Sequence, residues 1–321
     1  MTYSGLLDQV TRMKAVLVLL LLLLASLPSE AQSVEVAFRI SEKDLIPEGI
    51  AYDATSRSFF VSSIHKNKII RIDARNKVTD FIKSGKEGIG QALGMKVSDG
   101  KLWVCSNTGK GNAQDQSMVH VFNIASGDLV SKWSLPPGET HLFNDLALDS
   151  RGNVIVSDSD YGAIYRVSLK SSNVELLIKD ARLQYGNGIT IAPDDAVIVN
   201  TFKGFFKINT AKQELKLLPF PNYSVIGIDG LCFYKQSLVG IQNVTYPVSI
   251  NQYQLNATYD KIESARVLLA DHPQFDIPTT GVIVDGWFYF IANSQMSNLE
   301  KDKIIDPTKL KEVLIMKIRL N

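Results

Sequence analysis

The stretch Phe143-Asn144-Asp145-Leu146-Ala147-Leu148-Asp149-Ser150-Arg151-Gly152-Asn153, followed by Val154-Ile155-Val156, decides the fold. A short apolar run ends in Asp149–Asn153, residues that bond their own main chain or take left-handed backbone angles. A β-branched run follows at once, so the segment reads as strand, tight turn, strand. The same opening recurs as Glu48-Gly49-Ile50-Ala51, Leu93-Gly94-Met95-Lys96, Asn187-Gly188-Ile189-Thr190, Asp229-Gly230-Leu231-Cys232 and Thr280-Gly281-Val282-Ile283. The second residues of the six openings stand at 49, 94, 145, 188, 230 and 281, giving spacings of 45, 51, 43, 42 and 51 residues.

Each opening leads into a turn, among them Asp53-Ala54-Thr55-Ser56, Ser98-Asp99-Gly100 and Asp285-Gly286. A β-rich run such as Leu102-Trp103-Val104 comes next, then a third such as Val119-His120-Val121-Phe122, then a weaker fourth. No long stretch of helical period competes. Four strands in a repeat of about 40–50 residues mark a β-propeller blade. The sequence therefore predicts an all-β, six-bladed β-propeller. The last unit lacks a strand even with Glu312–Arg319, and Val34–Ile40 has no blade of its own. The N-terminal strand is expected to pair into the last blade and close the ring, removing exposed edges.

The composition is ordinary. The 321 residues carry a formal net charge of +1, with 45% hydrophobic and 21% charged residues. Such a balance excludes a nucleic-acid binder acting by bulk charge and a mostly disordered chain. Two cysteines, Cys105 and Cys232, exclude a disulfide-stapled scaffold and read as buried thiols. Met13-Lys14 precedes an unbroken apolar run from Ala15 to Leu24, continued by Ala25-Ser26-Leu27, too short to span a bilayer, and Ser29-Glu30-Ala31 has the small residues of a cleavage site. Residues 1–31 are therefore expected to be a signal peptide, with 1–12 an extension ahead of Met13, and an uncleaved anchor is the alternative. The remaining 32–321 should form one domain, secreted or periplasmic, monomeric, with no membrane span after cleavage. Three N-x-S/T sequons begin at Asn222, Asn243 and Asn256. Trp103, Trp133 and Trp287 read as blade packing.

In a propeller the first strand of each blade lines the central tunnel. The residue at the head of each opening then points into the tunnel mouth: Glu48, Leu93, Asn144, Asn187, Asp229 and Thr280. Glu48, Asn144, Asn187 and Asp229 would bring two carboxylates and two amide oxygens to one axis. That hard-oxygen set suits a single divalent cation, Ca²⁺ first and Mg²⁺ or Mn²⁺ as alternatives, and disfavours zinc. Asn and Asp before Gly are also ordinary turn residues, but four in one register of a cyclic repeat are not explained by turns alone.

The openings Pro47-Glu48-Gly49, Phe143-Asn144-Asp145, Gly186-Asn187-Gly188-Ile189 and Ile228-Asp229-Gly230-Leu231 resemble the gluconolactonase/regucalcin (senescence marker protein) family and its relatives paraoxonase and diisopropyl fluorophosphatase. The resemblance implies the same fold, one divalent ion at the top of the tunnel held by Glu48, Asn144, Asn187 and Asp229, and hydrolysis of a lactone or small ester. On that basis Asp229 is the expected general base or nucleophile. His141 is the expected acid/base partner, with His65 as a second candidate. The chain departs from regucalcin-like enzymes at Leu142, where they carry Arg, and from paraoxonases at Leu93, where they carry a catalytic His. A non-catalytic exported propeller with a structural ion is the competing expectation, as is different chemistry on the same scaffold.

Overall fold

The computed structural model of the chain describes residues 33–108, 116–220 and 225–320. The expected targeting segment, residues 1–31, and the sequon at Asn222 lie outside them. Among the described residues no helix is long and apolar enough to cross a membrane. The structure is a six-bladed β-propeller, each blade a four-stranded antiparallel sheet. Blade one runs Pro47–Asp53, Ser58–Ser63, Lys68–Ile72 and Val78–Ile82 from the axis outward. The other innermost strands are Gln91–Ser98, Phe143–Leu148, Ile189–Ile191, Ile228–Tyr234 and Gly281–Val284. They touch one another in cyclic order, the last returning to the first.

Turn chemistry sets the hairpins where the sequence placed them. Asp53 Oδ2 accepts from Ser56 N at 2.8 Å, and Asp149 Oδ1 accepts from Arg151 N at 2.9 Å and Asn153 N at 2.8 Å. Asp99 and Gly100 stand at φ 50° and 68°, the left-handed pair a tight hairpin needs.

The ring closes as expected. Val34–Ile40 pairs antiparallel with Val313–Arg319 and forms the outermost strand of blade six, outside Trp287–Ile291 and Gly281–Val284. Apolar side chains fill the wedge between every pair of neighbouring blades, so the core is six separate clusters around the ring. Trp103 and Trp133 stack in one of them with ring centroids 5.9 Å apart. Trp287 departs from the packing expectation: it is half-buried at the rim of blade six, with Lys317 Nζ 4.4 Å from its ring centroid. Cys105 and Cys232 are free thiols.

Candidate metal centre and its cleft

The blade openings are bulged. The pairing of innermost with second strand slips between Pro47 and Ile50, Ala92 and Met95, Phe143 and Leu146, and Ile228 and Leu231. An extra residue at that point unpairs the backbone and re-aims the side chain it carries. Glu48, Asn144 and Asp229 sit in three of these bulges. A serine on the second strand occupies the gap. Ser62 Oγ accepts from Gly49 N at 2.6 Å and donates to Leu93 O at 2.9 Å; Ser157 Oγ accepts from Asp145 N at 3.2 Å and donates to Asn187 O at 3.0 Å. Each hydroxyl thus ties one blade's bulge to the opening of the next.

Glycine after the opening residue is a packing requirement. A Cβ on Gly49 would stand 2.1 Å from Leu93 O, and one on Gly188 would stand 2.1 Å from Asp229 O. No side chain fits there, so glycine lets adjacent innermost strands close around the axis.

All four residues expected to bind an ion are placed with one buried oxygen that has no hydrogen-bond partner: Glu48 Oε2, Asn144 Oδ1, Asn187 Oδ1 and Asp229 Oδ1. Their remaining groups are held. Glu48 O accepts from Thr280 Oγ1 at 2.6 Å and Thr279 Oγ1 at 2.9 Å. Asn144 Nδ2 donates to Ser159 Oγ at 3.0 Å, which fixes the direction of its oxygen. Asp229 Oδ2 accepts from Asn243 Nδ2 at 2.7 Å. The Glu48 and Asp229 carboxyl groups act directly on each other, and the Asn187 amide acts on Asp229. Burial, then the charges of Asp229 and Asp145, push the Glu48 carboxyl well above the usual range. Burial likewise lifts Asp229, to about 6, against the lowering effect of the Asn243 hydrogen bond. Buried oxygens without donors are costly unless something satisfies them. The donor set therefore fits a hard cation. No cluster of three or more His, Cys, Asp or Glu side chains suited to a metal occurs among the described residues, and this centre is half amide.

Asn144 and Asn187 form part of the wall of a cleft of about 290 Å³. Its apolar lining comes from Leu142, Tyr185, Phe202, Ile228 and Val244, and its polar lining includes Ser159, Asp160, Asn200 and Asn243. Among the top-face loops read from sequence, Asp158–Tyr161 and Thr201-Phe202 do contribute to this wall. His141 precedes Leu142. Its Nδ1 lies 2.6 Å from Asp158 Oδ2, and its ring packs on Tyr161 with centroids 4.6 Å apart. Asp158 Oδ1 also accepts from Leu142 N at 2.9 Å and Tyr161 N at 3.1 Å. Asp158 is thus both the turn former the sequence suggested and the group that orients His141. His65 lies apart from this arrangement, with its Nδ1 3.1 Å from Asp302 O on the exposed surface. Leu93 and Thr280, the other two opening residues, add no side-chain oxygen to the four that lack donors.

Sequence reasoning missed Asn243 and Tyr185. The sequence marks Asn243 only as the start of a sequon. Yet it follows the second strand of blade five, Ser237–Gln242, at the level where the other blades supply loop residues to the top face. Extending that register to blade five would have found it. Tyr185 carries no motif and is placed by backbone geometry alone.

The comparisons agree with this architecture. Residues 46–202 match the family model described as SMP-30/Gluconolactonase/LRE-like region, which covers blades one to three and the first two strands of blade four. The matched region contains Glu48, Asn144 and Asn187; Asp229 and Asn243 lie beyond it. No curated protein sequence matches the chain. A gluconolactonase from Xanthomonas campestris is similar in structure, with TM-score 0.59 at 12% identity over 89% of this chain and 88% of its own. Virginiamycin B lyase from Staphylococcus aureus gives 0.57 at 13% identity over 90% and 99%. The PQQ-bound aldose sugar dehydrogenase from Streptomyces coelicolor gives 0.61 at 11% identity over 89% and 98%. At these identities the likeness is one of fold.

Proposed function

We propose that this chain, with its SMP-30/gluconolactonase/LRE-like region, is an exported hydrolase that opens a lactone or small ester at the Glu48, Asn144, Asn187 and Asp229 centre with the help of a divalent cation, calcium by preference. One observation carries the reading: four buried oxygens without donors, contributed by blades one, three, four and five, stand beside a cleft large enough for a small organic molecule. Two carboxylates and two amides are the ligands of a hard cation. Such a cation, when bound, supplies Lewis-acid polarisation of a carbonyl oxygen.

The protein's own groups account for orientation and proton movement. Asn243 ties down Asp229 Oδ2, so Oδ1 faces the centre, where one of its lone pairs would serve a bound cation and the other would accept a proton from an attacking water. As the water oxygen bonds to the carbonyl carbon, the ring C–O bond breaks and the leaving alkoxide needs a proton. Asp158, accepting from His141 Nδ1–H, fixes the tautomer in which Nε2 carries the lone pair. His141 Nε2 then accepts the proton that Asp229 has taken from the water and passes it to the leaving oxygen, so both groups end as they began.

Assay of the purified protein on a panel of lactones, with and without a chelator, tests this. Turnover that the chelator abolishes and that Asp229→Asn lacks supports it. Calcium-dependent melting without turnover of any lactone overturns it in favour of a binding propeller, the reading that Leu93 and Leu142 favour.

A further inference from the structure

We infer that Tyr185 and Phe202 select the substrate, and that the cleft takes a lactone or ester bearing an aromatic arm and rejects polyhydroxylated sugar lactones. This rests on the hydrolase reading above for the reacting group, but the selectivity itself is a property of the cleft wall.

Tyr185 and Phe202 meet edge-on in the wall of the cleft, ring centroids 5.6 Å apart and planes at 68°. They are 57% and 49% exposed, and Val244 beside them is 55% exposed. Large apolar side chains left this open, grouped on one concave wall next to a reactive centre, mark a surface that a ligand covers. Crossed ring planes offer a third ring a face on one side and an edge on the other, both favourable contacts.

Three polar residues of the lining point the same way, because their side chains are already engaged. Asn200 Nδ2 donates to Val225 O at 2.6 Å and its Oδ1 accepts from Ile228 N at 2.9 Å. Ser159 Oγ donates to Gly186 O at 2.6 Å and accepts from Asn144 Nδ2. Asn243 Nδ2 is shared between Asp229 Oδ2 and Pro278 O. A sugar hydroxyl placed against Ser159, Asn200 or Asn243 would exchange water for side chains already bonded to the protein, and each hydroxyl left unpaired there costs free energy. An aromatic arm has no such cost.

Tyr185 is also held where a ring residue is unfavourable. Its φ is 59°, the left-handed region that favours glycine, and the conformation is kept by Tyr185 N donating to Ser159 O at 2.8 Å and Gly186 N to Leu183 O at 2.9 Å. Glycine would relieve that backbone. A tyrosine whose ring then stands mostly in the open gives little packing in return, which leaves contact with a ligand as its use.

The test is calorimetry on the calcium-loaded protein with two lactams that cannot be hydrolysed, one carrying a phenyl group and one carrying the hydroxyls of a gluconolactone. The phenyl lactam is expected to bind at least about tenfold tighter, a ratio of the size one aromatic contact supplies. In Tyr185→Gly and in Phe202→Ala that ratio should fall toward one. Tyr185→Gly should meanwhile melt no lower than the parent, which separates lost selectivity from lost structure. Equal or tighter binding of the polyhydroxylated lactam, absent binding of the phenyl lactam, or a ratio that both variants leave unchanged overturns the inference. Phenyl-lactam binding in a protein that turns over no lactone supports the inference and removes the hydrolase reading, so the two fail separately.

Discussion

Asn243 donates one amide to Asp229 Oδ2 at 2.7 Å and to the Pro278 carbonyl at 2.9 Å, which leaves Asp229 Oδ1 as the carboxylate oxygen without a donor. The amide acts as a support that decides which oxygen faces the centre. Asn243→Ala is expected to weaken calcium binding by about 10–100-fold, the usual cost of losing a group that orients a ligand. Calorimetric titration reads this directly, and an unchanged affinity would remove Asn243 from the centre. The same hydrogen bonds occupy the nitrogen a glycan would need. Intact-mass analysis of protein made in a glycosylating host should find position 243 unmodified.

Glu48 and Asp229 are buried facing carboxyls, and each is raised by burial. Glu48→Gln removes a costly buried charge, so in chelator the variant should melt at or above the parent. Calcium should then stabilise it far less. For the parent, ligand at one hundred times its dissociation constant adds about 2.7 kcal/mol. A calcium-induced rise in Glu48→Gln equal to the parent's would refute the four-oxygen centre.

His141 owes its orientation to Asp158. His141→Gln should lower kcat by about 10²–10⁴-fold, the range for a lost acid/base group. Asp158→Asn keeps the side-chain volume but places an amide against Nδ1, and should slow turnover with little change in KM. Melting curves control for the Leu142 and Tyr161 hydrogen bonds that Asp158 also accepts. Full activity in both variants would return this pair to a structural role.

His120 gives a pH dependence unrelated to the centre. It is fully buried in blade two, stacked on Phe122 at 5.8 Å, with Nε2 3.3 Å from Glu87 O and Nδ1 without a partner. Burial pushes its imidazole down to about 4. Unfolded, the ring takes up a proton near pH 6.5; folded, it resists until about 4, so unfolding binds a proton between these values. Stability from this residue is therefore lost as pH falls through the window, by about 1.4 kcal/mol per pH unit. Denaturant titrations at several pH values should show a shallower fall in His120→Phe than in the parent. Parallel slopes would exclude the assignment.

How far the sequence could be read follows from what each feature depends on. The repeat, its hairpins and the ring closure rest on local alternation and turn residues such as Asp99-Gly100, and these are visible in the chain. Glu48, Asn144, Asn187 and Asp229 were visible because a cyclic repeat turns one register position into one place in space. The bulges that aim them were not, since a one-residue slip leaves no composition signal. Asp158 as the partner of His141 depends on a hairpin returning across the sheet. Tyr185 depends on a left-handed backbone that a tyrosine does not announce. Contacts of these kinds are made by tertiary geometry, and no spacing rule predicts them.

Blade six is assembled from Val34–Ile40 and from strands made near the other end of the described chain. During synthesis the earliest of these strands must wait, unpaired, until Val313–Arg319 has left the ribosome, so the circle can lock only late. Three blades of the oxygen centre emerge after Glu48, and the innermost strands rely on one another around the whole circumference. A truncated or stalled chain would thus expose a sticky strand and leave the oxygen centre unassembled, and cellular quality control would meet it as an open arc.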